Sequence, residues 1–102
     1  DNIKVDAIFS QSDSMLSGFR AAYEKSGLDP SKIVTVGCDY TSEAKDAIKK
    51  GTQTASILFP LGGKQSIDVA LEIIAKKDVQ KHIIIPVKLV NKENVEEVSP
   101  VF

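Results

Sequence analysis

Four short runs of β-forming residues alternate with stretches of helical periodicity. That alternation restricts the chain to an α/β fold: strands side by side in one sheet, helices on its faces. The runs are residues 5–9, 33–36, 54–58 and 83–90. Each is too short to be a helix of ordinary length, and each is bounded by turn-forming residues. The order β-α-β-α-β-α-β predicts a parallel sheet with flanking helices. With 102 residues, the chain has room for one small domain.

The first run leads into Ser10-Gln11-Ser12-Asp13. Ser10 with Asp13 three residues on resembles a capping box, and Ser12 is the competing N-cap. A helix is predicted over 13–26, with Met15, Leu16, Phe19, Ala22 and Tyr23 on its inward face. Gly27 suits the end of that helix, and Pro30 prevents its continuation. The second run ends in Gly37-Cys38-Asp39, after which Thr41 caps a helix over 42–50 with Ala44, Ala47 and Ile48 inward. Lys45, Lys49 and Lys50 fall on its solvated side, and the two late lysines suit the negative helix C-terminus. A third helix is predicted over 63–77. Ile67, Ala70, Leu71 and Ile74 are in phase there, and Val69 and Ile73 widen the stripe beyond one narrow face. Pro86 lies inside the fourth run; proline cannot donate to a ladder, so this run is an edge strand or a bend between two strands. A terminal helical turn is expected over 91–98.

Composition excludes several function classes. A net charge of −1 and no basic patch interleaved with aromatics give no footprint for nucleic acid. The apolar runs are too short to span a bilayer as helices. Cys38 is the only cysteine and His82 the only histidine, which excludes a disulfide framework and a multi-cysteine zinc site. Gly62-Gly63-Lys64 suggests a phosphate loop, but Leu58 and Gln65 occupy the positions where that motif needs Gly and Ser or Thr. There is no G-x-G-x-x-G, no nucleophile elbow, and no serine or cysteine placed for His82 to activate. Asp13 and Asp39 both follow strands, as the acids of a phospho-accepting receiver domain would, yet Asp13 reads more simply as a helix-dipole acid. No cofactor and no enzymatic activity are expected.

In open α/β sheets, ligands bind outside the carboxyl ends of the strands. Three such ends are Gln11-Ser12, Asp39 and Leu58. Ser12 is both donor and acceptor. Asp39 is a double acceptor able to take two adjacent hydroxyls, as a sugar would offer. One rim of this kind requires a facing surface to enclose a ligand.

Four stretches resemble the carboxyl-terminal part of type I periplasmic sugar-binding proteins, the ribose- and galactose-binding group. They are Asp6 through Met15, Val34-Thr35-Val36-Gly37-Cys38-Asp39, Ala55-Ser56-Ile57-Leu58, and the run from Ile85-Pro86-Val87-Lys88 to Val95. The resemblance covers nearly the whole chain in order and spacing. It implies two α/β lobes closing on a sugar about a hinge of three crossovers. By that resemblance, residues 1–58 and 86–102 belong to the second lobe, and residues 59–85 pack on a first lobe that this chain lacks. The resemblance also places Asp39 at the aspartate that accepts from sugar hydroxyls, Ser12 where an asparagine bonds the sugar, and Leu58 where a Gln or Asn does so. Tyr40 stands where a glycine is usual. A buried hydroxyl left without its amide partner costs about 1–3 kcal/mol, so a less hydroxylated or differently shaped ligand than ribose or galactose is expected.

The implied function is capture of a sugar-like small molecule outside the cytoplasm and delivery to a membrane ABC permease or a chemoreceptor. The alternative is the effector domain of a LacI-type transcription regulator, which shares the fold. By resemblance such regulators carry a Pro-Pro-Leu-Thr-like run near the third strand, and residues 53–60 show none. A segment whose 63–77 helix lacks its partner lobe is further expected to self-associate when isolated.

Overall fold

The computed structural model describes residues 4–102. Strand β1 (Ala7–Phe9) leads to helix α1 (Asp13–Lys25), a 3-10 turn (Pro30–Lys32), strand β2 (Val34–Asp39), helix α2 (Ser42–Lys50) and strand β3 (Ala55–Leu58). Helix α3 (Gly63–Ile74) and strand β4 (Lys88–Asn91) complete the order. The strands lie side by side as β1-β2-β3-β4.

The expected parallel arrangement holds for β1, β2 and β3, whereas β4 runs antiparallel to β3. The chain leaves the sheet at the carboxyl end of β3, makes α3, and returns to the same end, with Lys88 opposite Leu58. A strand entering at the end its neighbour has just left can only run the other way. The outgoing and returning segments touch: a Cβ on Gly62 would sit 2.9 Å from Ile85 Cδ1. Residues 83–87 form no ladder; of the predicted 83–90 run only the last three residues are strand, and the strand, Lys88–Asn91, ends one residue beyond it. Pro86 therefore falls in a connecting segment, where its missing N–H costs nothing.

Both α1 and α2 cover one face of the sheet. Thr41 caps α2 by accepting from the Ala44 amide at 3.1 Å, and Gly51 ends it with φ 82°, a left-handed value that glycine adopts freely. Ala44, Ala47 and Ile48 are buried, as their spacing predicts. Ile48 joins Tyr40, Val90, Val95 and Val98 in the main apolar cluster, and Leu58 packs against it. Burying one such side chain contributes about 1.5–3 kcal/mol.

Helix α1 departs from its predicted face. Leu16 is fully buried, but Met15 is 57% exposed and Ala22 is also exposed, while Phe19 and Tyr23 are half-buried with ring centroids 5.1 Å apart. The inward residues are Asp13, Leu16 and Arg20. The helix thus turns a polar stripe toward the sheet, because a network of polar groups waits there. Helix α3 ends at Ile74, three residues short of its predicted end, and none of its residues is buried. Ile67, Leu71, Ile73 and Ile74 all stand in solvent, Ile74 at 76%. The opposite face of the sheet is similarly bare, with Phe9, Val34 and Leu89 exposed. Residues 92–97 form successive turns rather than a helix.

Candidate ligand rim at the strand ends

The carboxyl ends of β1, β2 and β3 point the same way, since the three strands are parallel. Asp39 and Leu58 are register partners at the ends of β2 and β3, and Lys88 extends that row on β4. Ser12 follows β1 and is the N-cap of α1, its Oγ accepting from the Met15 amide at 3.2 Å. The Ser10–Asp13 capping box does not form; Ser10 Oγ donates instead to the Ser12 carbonyl at 2.8 Å. The Ser12 hydroxyl proton remains available to a ligand.

Asp39 is half-buried. Among the described residues no hydrogen bond or ion pair engages its carboxylate, which sets it apart from Asp13, Asp29 and Asp68. A half-buried carboxylate at a strand end, free of protein donors, can accept from a ligand. Leu58 is half-buried and packs on the apolar cluster beneath the rim, so it offers a ligand apolar contact and no hydrogen bond. Burial, with the neighbouring Asp39 and Asp13 charges, pushes the Cys38 thiol above its ordinary value of 9.0, so it stays protonated at neutral pH.

Asp13 lies in the first turn of α1, as its spacing predicts, but its burial and its partners were not legible in the sequence. The spacing reads as a helix-dipole acid; the structure buries it completely beneath the rim. Its Oδ2 accepts from the Tyr40 amide at 2.7 Å, the Thr41 amide at 3.3 Å and Ser56 Oγ at 2.7 Å. Its Oδ1 accepts from Gln53 Nε2 at 2.8 Å. Gln53 in turn takes a hydrogen bond from Arg20, whose other terminal nitrogen pairs with Glu43 on α2. No buried side-chain polar atom among the described residues lacks a partner. Gly37 leaves the space for this carboxylate: a Cβ there would overlap Asp13 Oδ1 and lie 3.0 Å from its Cγ.

The loop after β2 is held in an uncommon conformation. Asp39 has φ 96° and Tyr40 φ 60°. Each such value costs a non-glycine residue about 1–3 kcal/mol. At Tyr40 the backbone holds a conformation that only glycine takes without strain. Compensation comes from two sides. The Tyr40 ring is fully buried, and its hydroxyl lies 3.0 Å from the Val98 carbonyl and 3.3 Å from that of Val95. The Tyr40 carbonyl accepts from the Val101 amide at 3.0 Å, and the Ser42 amide donates to the Phe102 carbonyl at 2.8 Å. Hydrogen bonds to a charged partner contribute about 1.5–3 kcal/mol each, so the two amides on Asp13 suffice to offset the strain.

An open groove of about 310 Å³ lies between α1 and α2, lined by Arg20, Glu24, Glu43 and Lys50 among others. It includes none of Ser12, Asp39 or Leu58. Among the described residues no group of acids, histidines and cysteine could hold a metal ion, and no helix is long and apolar enough to cross a membrane.

Three parallel strands thus end at one rim beside a half-buried acid, and the fourth strand returns antiparallel after an exposed apolar helix. Residues 1–78 match the model of a periplasmic binding protein domain. The chain belongs to the periplasmic binding protein family. It is 33% identical over 97 residues to a protein of Rhizobium meliloti assigned to rhizopine binding, a match covering 93% of this chain and 31% of that protein. An ABC transporter solute binding protein from Bacillus halodurans, solved with bound myo-inositol, superposes with a TM-score of 0.82 at 31% identity. That match covers 93% of this chain and 33% of the other. A periplasmic solute binding protein of an ABC transporter from Actinobacillus succinogenes, solved with D-allose, gives a TM-score of 0.80 at 28% identity, over 91% of this chain and 33% of that one. The chain thus spans about a third of the length of the relatives it matches.

Proposed function

We propose that this chain forms part of an extracytoplasmic solute-binding protein that captures a polyhydroxylated ring, a sugar or a cyclitol, for import by an ABC permease. The observation carrying this reading is the half-buried Asp39 carboxylate, without a partner among the described residues, at the carboxyl end of a parallel strand. A carboxylate accepts from two vicinal hydroxyls at once, the feature common to the ligands in the related structures. Ser12 would donate beside it. Leu58, with no amide to offer, would face an apolar patch of the ring. The family match supports this reading over a LacI-type regulator domain.

In this reading residues 1–58 and 86–102 belong to one lobe, and residues 59–85 cross to the other. The exposed apolar stripe of α3 then packs on the facing lobe, and the bare sheet face is covered by the remainder of its own. The protein binds and releases its ligand without chemical change, and a membrane permease or chemoreceptor reads the closed form.

The test is a thermal-shift screen of the intact protein against myo-inositol, D-allose, D-fucose and their epimers. Stabilisation by one ligand and not by its epimers, diminished but still measurable on Asp39→Asn, is expected. Stabilisation that survives Asp39→Asn undiminished contradicts the assignment.

A further inference from the structure

Two successive amides, those of Tyr40 and Thr41, point at the same oxygen, Asp13 Oδ2, at 2.7 and 3.3 Å. Consecutive backbone N–H groups that converge on one anion form an anion-binding nest, in turns that commonly pass through left-handed values. Asp39 and Tyr40 have those values. The anion in this nest comes from the chain itself, on the first turn of α1, a strand and a helix earlier in sequence. The direction in which the Asp39 side chain leaves the backbone is set by the same dihedral angles. All four contacts to the Asp13 carboxylate are from donors: two amides, the Ser56 hydroxyl and the Gln53 amide nitrogen. A neutral amide at position 13 would turn an NH₂ group toward one of them. Gly37, whose Cβ would collide with this carboxylate, shows that the sheet is shaped around it.

We propose that Asp13 is the positioning residue of the ligand rim: seated in the nest, its carboxylate holds the 39–41 backbone so that Asp39 presents its own carboxylate to the ligand. This rests on the assignment of Asp39 to ligand hydroxyls. Asp13 itself is wholly buried and touches no ligand. Its effect on affinity passes through Asp39, so the two residues form one unit and their substitutions are non-additive.

The experiment uses the intact protein, with myo-inositol, D-allose and D-fucose as probes in calorimetry and with backbone NMR as a second readout. In the wild type, strong intraresidue amide-to-Hα cross-peaks at Asp39 and Tyr40 report positive φ. Asp13→Asn should remove them and weaken the best probe by about tenfold or more, the effect of losing one or two charge-assisted hydrogen bonds. In the Asp39→Asn background, Asp13→Asn should change affinity by less than about twofold. Ser56→Ala, which leaves both amides Asp13 as acceptor and removes only the second acceptor of the Tyr40 amide, Ser56 Oγ at 3.1 Å, is the milder variant should Asn at position 13 not fold; faster amide exchange at Tyr40 with a smaller loss of affinity is expected. Retained cross-peaks and affinity in Asp13→Asn, or an equal loss with and without Asp39, overturn the proposal while leaving the ligand rim standing. If the wild type binds none of the probes although Asp13→Asn abolishes the cross-peaks, the ligand rim itself fails, and the positioning role falls with it.

Discussion

Gly37→Ala tests the buried network more severely than any substitution of a polar residue, because it changes no hydrogen-bonding group. An added Cβ would overlap Asp13 Oδ1, lie 3.0 Å from Asp13 Cγ and stand 3.2 Å from Gln53 Nε2. Asp13 cannot retreat, being fully buried at the start of α1. The carboxylate must therefore move out of reach of some of its four donors. Each buried donor left unmet costs about 1–3 kcal/mol, so stranding two of them costs about 2–6 kcal/mol. The reduced freedom of alanine in the unfolded chain returns only about 0.4–1 kcal/mol. Against a typical net stability of about 5–15 kcal/mol, the loss is large. The assay is urea unfolding of both proteins, with the slope compared as well as the midpoint. Gly18→Ala is the control: Gly18 lies within α1 with nothing within 4 Å of an added Cβ, so alanine there should stabilise by about 0.5–1 kcal/mol. A Gly37→Ala protein within about 0.5 kcal/mol of wild type, the usual scatter of harmless surface changes, would refute the reasoning.

Burial, and to a smaller extent the Glu96 charge, raises the Tyr40 phenol above its ordinary value of 10.0. The folded state then holds that proton more tightly than the unfolded state. The associated stability is complete below pH 10 and is lost as pH rises through the folded value. Ultraviolet titration should show the Tyr40 step displaced above its ordinary value, with unfolding accompanying it; ionisation of Tyr40 at its ordinary value in folded protein would count against it. Tyr40→Phe removes the bond to the Val95 and Val98 carbonyls but keeps the ring, and should cost about 1–2 kcal/mol in thermal melts. Produced alone, residues 1–102 should self-associate through the exposed α3 stripe and sheet face, and Leu71→Glu with Ile74→Glu should reduce this in light scattering. A monomer at high concentration without those changes would oppose that expectation.

Periodicity made much of this fold readable. The 42–50 helix, with its Thr41 cap, Gly51 end and inward Ala44, Ala47 and Ile48, stands as the spacing predicts. So do the strand that runs into Gly37-Cys38-Asp39 and the helix that begins at Gly63. Where apolar periodicity stopped being the deciding quantity, the reading failed. Helix α1 carries two overlapping stripes, and the apolar one lost to Asp13, Leu16 and Arg20, because the buried donors and acceptors of the sheet lie beneath the helix and need polar partners. The signal was present in Ser56, a polar residue inside an apolar strand, which needs a partner, and in Gly37, a strand glycine, which marks close approach. The direction of β4 was illegible for another reason: it depends on where the chain re-enters the sheet, and Pro86 shows only that the re-entry is irregular.

At the rim, Asp39 was readable from its place after a strand. Its left-handed backbone, and the Asp13 carboxylate that turns it, depend on residues 26 positions apart meeting across the sheet. Sequence pattern carries no trace of such a meeting beyond the glycine that permits it.

The most direct test of the account is a crystal structure of the intact protein with the ligand that stabilises it most. The account predicts that the Asp39 carboxylate accepts from two adjacent ring hydroxyls, each at about 2.5–3.0 Å, with Ser12 beside them and Leu58 against an apolar patch of the ring. A ligand bound elsewhere, or one that leaves Asp39 facing bulk water, would contradict it.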